Sequence, residues 1–136
     1  MKFLLDTNIL SEPLKAFPSA KALRKLRAHQ GEIATAAPVW HELLFGCRRL
    51  PSSRKRDAIE EYVDTVLWPT VPILAYDSVA AAWHASERAR LTSMGKTPRF
   101  VDGQIAAIAK TNDLILVTCN TSDFVVFKEV LVENWL

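Results

Sequence analysis

Four acidic residues stand at places where an open α/β chain could bring them together: Asp6, Glu42, Asp102 and Asp123. Asp6 ends the apolar run Phe3-Leu4-Leu5, and Asp123 lies just past the run Leu114-Ile115-Leu116-Val117. Glu42 and Asp102 fall in the first turns of helices that follow a strand or a loop. In a doubly wound sheet, strand ends and the N-termini of the following helices share one edge, so all four carboxylates could meet there. No matching set of four cations is spaced to neutralise them. Carboxylates placed close together repel and raise one another's pKa unless a cation intervenes. An oxygen-only set of this kind suits Mg²⁺ or Mn²⁺. Such an ion polarises a phosphoryl oxygen and makes water a better nucleophile, and two ions can stabilise both the entering and the leaving oxygens. Blander roles stay open from spacing alone. Asp6 could be a turn or cap residue, Asp102 a plain N-cap, and Glu42 one half of a rim salt bridge to Arg48 or Arg49.

The elements that must position these groups can be read from the apolar pattern. Phe3 to Leu5 is too short for a helix and reads as a strand buried on both faces. A short helix is expected through Leu10, Ser11 and Glu12, stopped near Pro13. Ser19 caps a helix running to about His29, with Leu23 and Leu26 inward and Lys21, Arg24, Lys25 and Arg27 outward. Residues 32–36 give a strand. Pro38 suits the first turn of a nearly all-apolar, buried helix that carries Glu42. A long helix is predicted from about Arg54 to Trp68, opening on the basic cluster Arg54, Lys55 and Arg56. A strand follows at 71–75, and Asp77 or Ser78 caps a helix over 79–94 whose face is Ala80, Trp83, Glu87 and Leu91. The small-residue helix Ile105-Ala106-Ala107-Ile108-Ala109 follows Asp102. The strand at 114–117 runs into Thr118-Cys119-Asn120-Thr121-Ser122-Asp123, repeating the opening pattern of strand, polar cluster and aspartate. A last short strand is expected at 130–132. Short strands alternating with helices argue for an α/β chain with a mainly parallel sheet between two helical layers.

Bulk properties narrow the function classes. The 136 residues, 49% hydrophobic and 24% charged, fit a single ordered domain spanning 1–136 rather than a disordered chain. A net charge of only +2 excludes a general polyanion binder, so any nucleic-acid contact must come from local clusters of Lys and Arg. Cys47 and Cys119 have neither zinc-ligand spacing nor the number for a disulfide framework, which points to a reducing cytoplasm. Asp6 interrupts the start before a signal-peptide core can form, and no apolar run is long enough to cross a membrane. The tryptophans at 40, 68, 83 and 135 read as core or dimer-interface anchors. His41 and His84 lack metal-ligand spacing and read as packed or surface residues.

Asp6-Thr7-Asn8, Glu42 in Glu-Leu-Leu-Phe-Gly, Asp102-Gly103-Gln104-Ile105-Ala106-Ala107 and Thr118-Cys119-Asn120-Thr121-Ser122-Asp123-Phe124 together resemble the ordered motifs of PIN-domain ribonucleases. The resemblance is strongest to VapC-type toxins of bacterial toxin–antitoxin pairs, and it covers essentially the whole chain. It implies a PIN-like three-layer α/β/α fold and Mg²⁺- or Mn²⁺-dependent endonucleolytic cleavage of RNA. It also implies a homodimer held inactive by a VapB-type antitoxin. Carried onto this chain, Asp6, Glu42, Asp102 and Asp123 form the acidic metal-binding set. Asn8, Thr118 and Asn120 are its polar support. Cys119 departs from relatives that carry Arg or another polar residue there. Lys96, Arg99, Arg54 and Lys55 are candidates to offset the repulsion between the acidic edge and RNA. The rival from another class is a catalytically inactive PIN-like RNA-binding module. A haloacid-dehalogenase-type phosphatase would want an Asp where Asn8 stands. A phospho-accepting receiver would want a Lys after the 114–117 strand, where Thr118 and Cys119 stand.

Overall fold

The computed structural model describes every residue from Met1 to Leu136. Its centre is β1 (Phe3–Leu5), whose three residues are all buried, as a strand covered on both faces requires. β1 pairs in parallel with β2 (Ile33–Ala36) on one side and β4 (Ile115–Val117) on the other. Phe3 is opposite Ile33 and Ile115, and Leu5 is opposite Thr35 and Val117. β3 (Ile73–Leu74) and β5 (Val132–Glu133) complete a five-stranded sheet, ordered β3-β2-β1-β4-β5 and parallel throughout. The chain starts in the middle strand, winds outward through β2 and β3, then returns to the other side for β4 and β5. The direction of winding reverses between β1 and β4, and this is where an open parallel sheet presents a ligand crevice beyond its strand ends.

Helices flank the sheet. α1 (Thr7–Leu10) starts directly after β1, and Asp6 is its N-cap. Its observed span lies earlier than the expected 10–12, because the cap sits at the strand end itself; a 3₁₀ turn over Glu12–Leu14 follows it at Pro13. α2 (Ala20–Ala28) is capped by Ser19, which accepts from the Ala22 N–H. The buried Glu12 carboxylate accepts from the Ser19 N–H at 2.9 Å and pairs with Lys15 at 2.8 Å, fixing the turn that enters α2. α3 (Ala37–Arg48) continues from β2 without a loop and has Pro38 in its first turn. It is less buried than its composition suggests. Val39, Leu43 and Cys47 face inward, whereas Phe45 is 57% exposed.

The long helix expected to Trp68 is not regular. α4 (Arg54–Tyr62) widens into a π turn over Val63–Leu67 before the short α5 (Trp68–Thr70). Pro69 has no N–H for the regular ladder, and its ring crowds the preceding turn, so the wider spacing relieves the conflict. Trp135 and Phe124 are fully buried, but Trp68 is 65% exposed and pairs only with Trp40, at 5.8 Å between rings. β5 also comes slightly later than the expected 130–132.

α6 (Ser78–Ser93) and α7 (Phe100–Thr111) pack against each other. Asp77 caps α6, and Gly95, at φ 72°, turns the chain after it. The inward face of α6 is Ala80, His84, Glu87 and Leu91. His84 therefore takes the place that the pattern assigned to Trp83. Its Nδ1 meets the Tyr76 hydroxyl at 2.8 Å, and its ring lies 4.8 Å from that of Phe100. Nε2 is buried with no hydrogen-bond partner and lies directly over Gly103. α7 brings Ala106, Ala107 and Ala109 into a core of 25 buried residues, where small side chains allow the helix to lie close. Burial lowers the His84 pKa, so the imidazole is held neutral against the helix that carries Asp102.

This contact gives the first prediction. A methyl group at Gly103 would overlap the Nε2 edge of the His84 ring. Alanine is the better helix former by about 1 kcal/mol. The clash with a ring pinned by Tyr76 and Phe100 should outweigh that gain, since overpacking costs about 1–3 kcal/mol. Gly103→Ala should therefore lower the thermal midpoint. Shrinking the opposing ring with His84→Ala in the same chain should recover part of the loss.

Candidate functional site

Asp6 is the most constrained of the four carboxylates. Its backbone N–H donates to the Val117 carbonyl at 2.9 Å, which ties the end of β1 to the end of β4. Its side chain is 6% exposed. Oδ1 accepts from the Thr7 N–H at 2.8 Å, and Oδ2 from the Thr118 hydroxyl at 2.8 Å. Asn8 adds a longer contact to Oδ2 at 3.4 Å. Burial pushes the Asp6 carboxyl above its usual value, the Thr118 and Thr7 hydrogen bonds partly offset this, and the nearby charges of Glu42 and Asp102 raise it further. Asp6 is thus both a helix cap and a strained acid.

The polar support lies across the two strand ends. Thr118 Oγ1, while donating to Asp6, accepts from the Asn120 N–H at 3.0 Å. Asn8 Oδ1 accepts from the Cys119 N–H at 2.9 Å. Asn8 and Thr118 therefore lock the segment after β1 to the segment after β4. Asn120 contributes through its backbone, and its side chain is reached only by the Cys119 thiol, at 3.7 Å. Cys119 is half-buried and joins no acid–base pair that would activate it as a nucleophile.

Glu42 projects from α3 into solvent. No rim salt bridge to Arg48 or Arg49 forms; its carboxylate accepts instead from the Thr7 hydroxyl at 2.8 Å. Thr7, one residue past Asp6, thus links two of the acids. Its number in the sequence carried no signal of this, because the two partners are 35 positions apart. Asp102 lies in the first turn of α7, is 5% exposed and is not the cap, which is Arg99. The Arg99 guanidinium grips Asp102 with two parallel hydrogen bonds of 3.0 Å, from Nε and from Nη2. Asp123 is exposed in α8 (Thr121–Phe124), the helix that follows β4. A cleft of about 230 Å³ lies between α7 and α8, lined by Lys96, Arg99, Asp102 and Asp123. A larger one of about 630 Å³ runs from Thr7 and Glu42 along α3 and α4, with Lys15 and Lys55 on its wall. Arg54 lines neither of them.

The segment carrying Asp123 is held from behind. Glu87 on α6 pairs through both oxygens with Arg90, at 2.8 and 2.9 Å, and accepts from the Lys128 N–H at 2.7 Å. Arg90 in turn donates to the Val126 carbonyl at 3.0 Å. Arg90 holds the Glu87 carboxyl below its usual range. The sequence marked Glu87 only as part of a helix face. Its Lys128 partner lies 41 residues on, where no local pattern marks it.

The donors are of the right chemistry for a hard divalent ion, being carboxylate oxygens with hydroxyl and amide support. As the side chains lie, no three acidic, histidine or cysteine residues are gathered tightly enough to share one ion. Arg99 grips Asp102 and feels the charges of Asp123 and Glu42, and Lys96 lines the same cleft. The residues fit such an ion by the chemistry of their donors.

The comparisons with known proteins agree with this architecture. The family described as PIN domain matches residues 3–130. The tRNA(fMet)-specific endonuclease VapC of Shigella flexneri is 30% identical over 136 residues, covering 99% of this chain and 98% of that protein. Toxin FitB of Neisseria gonorrhoeae is 30% identical over 135 residues, 97% of each. A solved structure of FitAB bound to an IR36 DNA fragment superposes with a TM-score of 0.89 at 30% identity, covering 98% of this chain and 96% of that one. A family match over nearly the whole length, on a sheet wound in this order, means that this chain belongs to the PIN-domain family.

Proposed function

We propose that this chain, acting as one domain over residues 1–136, is a Mg²⁺- or Mn²⁺-dependent endoribonuclease and the toxin of a toxin–antitoxin pair. The observation that carries this reading is the position of Asp6, Glu42, Asp102 and Asp123 around the switch point of the sheet, where their charges act on Asp6 and on Arg99. Relatives named as VapC endonuclease and FitB toxin support it. The partners that follow are RNA, a VapB-type antitoxin and a second copy of the chain. The solved FitAB complex supports the second of these. No helix is long and apolar enough to cross a membrane.

In this reading Asp6 and Asp102 are the principal metal-binding residues, and Asp123 and Glu42 complete the acidic set. A divalent ion there supplies electrophilic stabilisation of a phosphoryl group and lowers the pKa of water. The rest falls to the chain itself. Thr118 and the Thr7 N–H fix the two oxygens of Asp6, so its carboxylate meets the substrate without having to be ordered first. One of Glu42 and Asp123, both exposed, orients the attacking water. Lys96 and Arg99, on the wall of the Asp102 cleft, draw the phosphate backbone toward an otherwise repulsive edge. Attack by water leaves a 5′-phosphate and a 3′-OH, because the ribose 2′-OH is not the nucleophile. RNA is then distinguished by single-stranded loops whose bases can splay out.

The test is cleavage of RNA by purified protein with Mg²⁺ or Mn²⁺ and with EDTA, with mapped product ends. Cleavage should require the ion and leave 5′-phosphates. Asp6→Asn should lose more than the roughly 10–100-fold typical of a residue one shell away, and Thr118→Val should fall within that range. A folded protein that binds RNA but cuts nothing would instead be a PIN-like RNA-binding module.

The same residue gives a stability prediction. Because the folded pKa of Asp6 lies above its unfolded value, the native state binds more protons between the two. Stability therefore falls as pH rises through that window, and the deficit persists at neutral pH. Without metal at pH 7, Asp6→Asn should melt higher than the parent by about 1 kcal/mol, or a few degrees. The difference should close below the ordinary aspartate pKa. A lower midpoint for the variant would show that Asp6 is a net stabiliser.

A further inference from the structure

Arg99 is an odd choice for its position. It is the N-cap of α7 and makes no side-chain bond to the free amides of that end. A cation at a helix N-terminus is disfavoured by the helix dipole. Its guanidinium instead folds back onto Asp102 as a two-pronged clamp, with both contacts at 3.0 Å. The two partners have opposite surroundings. The Asp102 side chain is 7% exposed, whereas that of Arg99 is 71% exposed. A buried carboxylate needs a counter-charge, but an exposed arginine can leave for water at little cost. The other charges that Arg99 feels, Asp123 and Glu42, belong to the same acidic set.

We propose that Arg99 is the resident counter-ion of Asp102, occupying its carboxylate in the metal-free protein and being exchanged for the divalent ion when the site fills. This rests on the metal-dependent reading above. The clamp keeps a buried acid neutralised while no ion is bound, and it sets how much ion is needed to fill the site. Ion binding and clamp release are coupled: Arg99 engages both oxygens of a carboxylate that is 7% exposed, so an ion competes with the guanidinium for the little of Asp102 that can be reached. The ion's double charge, shared among several carboxylates, prevails over a clamp whose cation is mostly in water.

The test is calorimetric titration of Mn²⁺ into wild-type protein, Arg99→Gln and Arg99→Lys, without RNA. Thermal melts in EDTA confirm that each is folded. Removing the competitor should tighten Mn²⁺ binding by about fivefold in Arg99→Gln, the scale of a solvent-facing ion pair. Arg99→Lys keeps the charge but loses the fork and should fall between the two. Equal affinities in wild type and Arg99→Gln, or weaker binding in the variant, overturn the exchange while leaving the metal site intact. No binding to any of the three overturns the metal reading, and the exchange with it.

Discussion

The burial of carboxylates beside other acids at one sheet edge is the constraint on which the rest of this structure depends. A parallel sheet started from its middle strand must reverse its winding between β1 and β4, and the ends of those two strands become neighbours. Asp6 stands at one end and Thr118 at the other, joined by the Asp6 N–H to Val117 and by the Thr118 hydroxyl to Asp6. α3 and α7 also open at this edge and add Glu42 and Asp102. What the fold brings together, electrostatics pushes apart. The Asp6 carboxyl is raised chiefly by burial and further by the charges of Glu42 and Asp102, and an arginine neutralises Asp102.

Much of the surrounding structure can be understood as resistance to that push. Thr7, Thr118 and Asn8 engage Asp6 or Glu42 with neutral donors, which hold a carboxylate in place without cancelling its charge. The neutral His84, pressed on Gly103, sets the seat of α7, and with it the first turn that carries Asp102. Glu87 and Arg90 brace the segment after α8, which carries Asp123. On the metal-dependent reading proposed above, a site built in this way gives up stability for a charge pattern that a cation can use.

The fold was legible because its signals are local. Phe3-Leu4-Leu5 and Leu114-Ile115-Leu116-Val117 are short apolar runs that only a covered strand accommodates, and each runs straight into polar residues. The alternation of such strands with capped helices is enough for a parallel α/β arrangement. The expectation that the four acids share one edge has the same local source, since a parallel sheet sends strand ends and helix starts to one edge. The pairing of side chains was not legible. Thr7 reaches Glu42 and Glu87 reaches Lys128 across distances that no periodicity encodes. His84 and Trp83 are neighbours that both fit an inward face, and it is His84 whose ring packs over Gly103, which has no side chain to exclude it. Arg99 and Asp102 are three apart and could be seen, but a basic residue beside an acidic edge reads equally well as a phosphate contact. Its exposed stem and buried partner resolve its resting role only in three dimensions.

The most direct measurement is the titration of the Asp6 carboxyl, followed by NMR of its side-chain carbon in metal-free protein and again with Mg²⁺. The predicted result is a midpoint above that of an ordinary aspartate without the ion and a fall in that midpoint when it is added, because the ion favours the charged form that burial and repulsion disfavour. A midpoint at the ordinary value, unmoved by Mg²⁺, would contradict both the crowding of charge at the switch point and its relief by a cation.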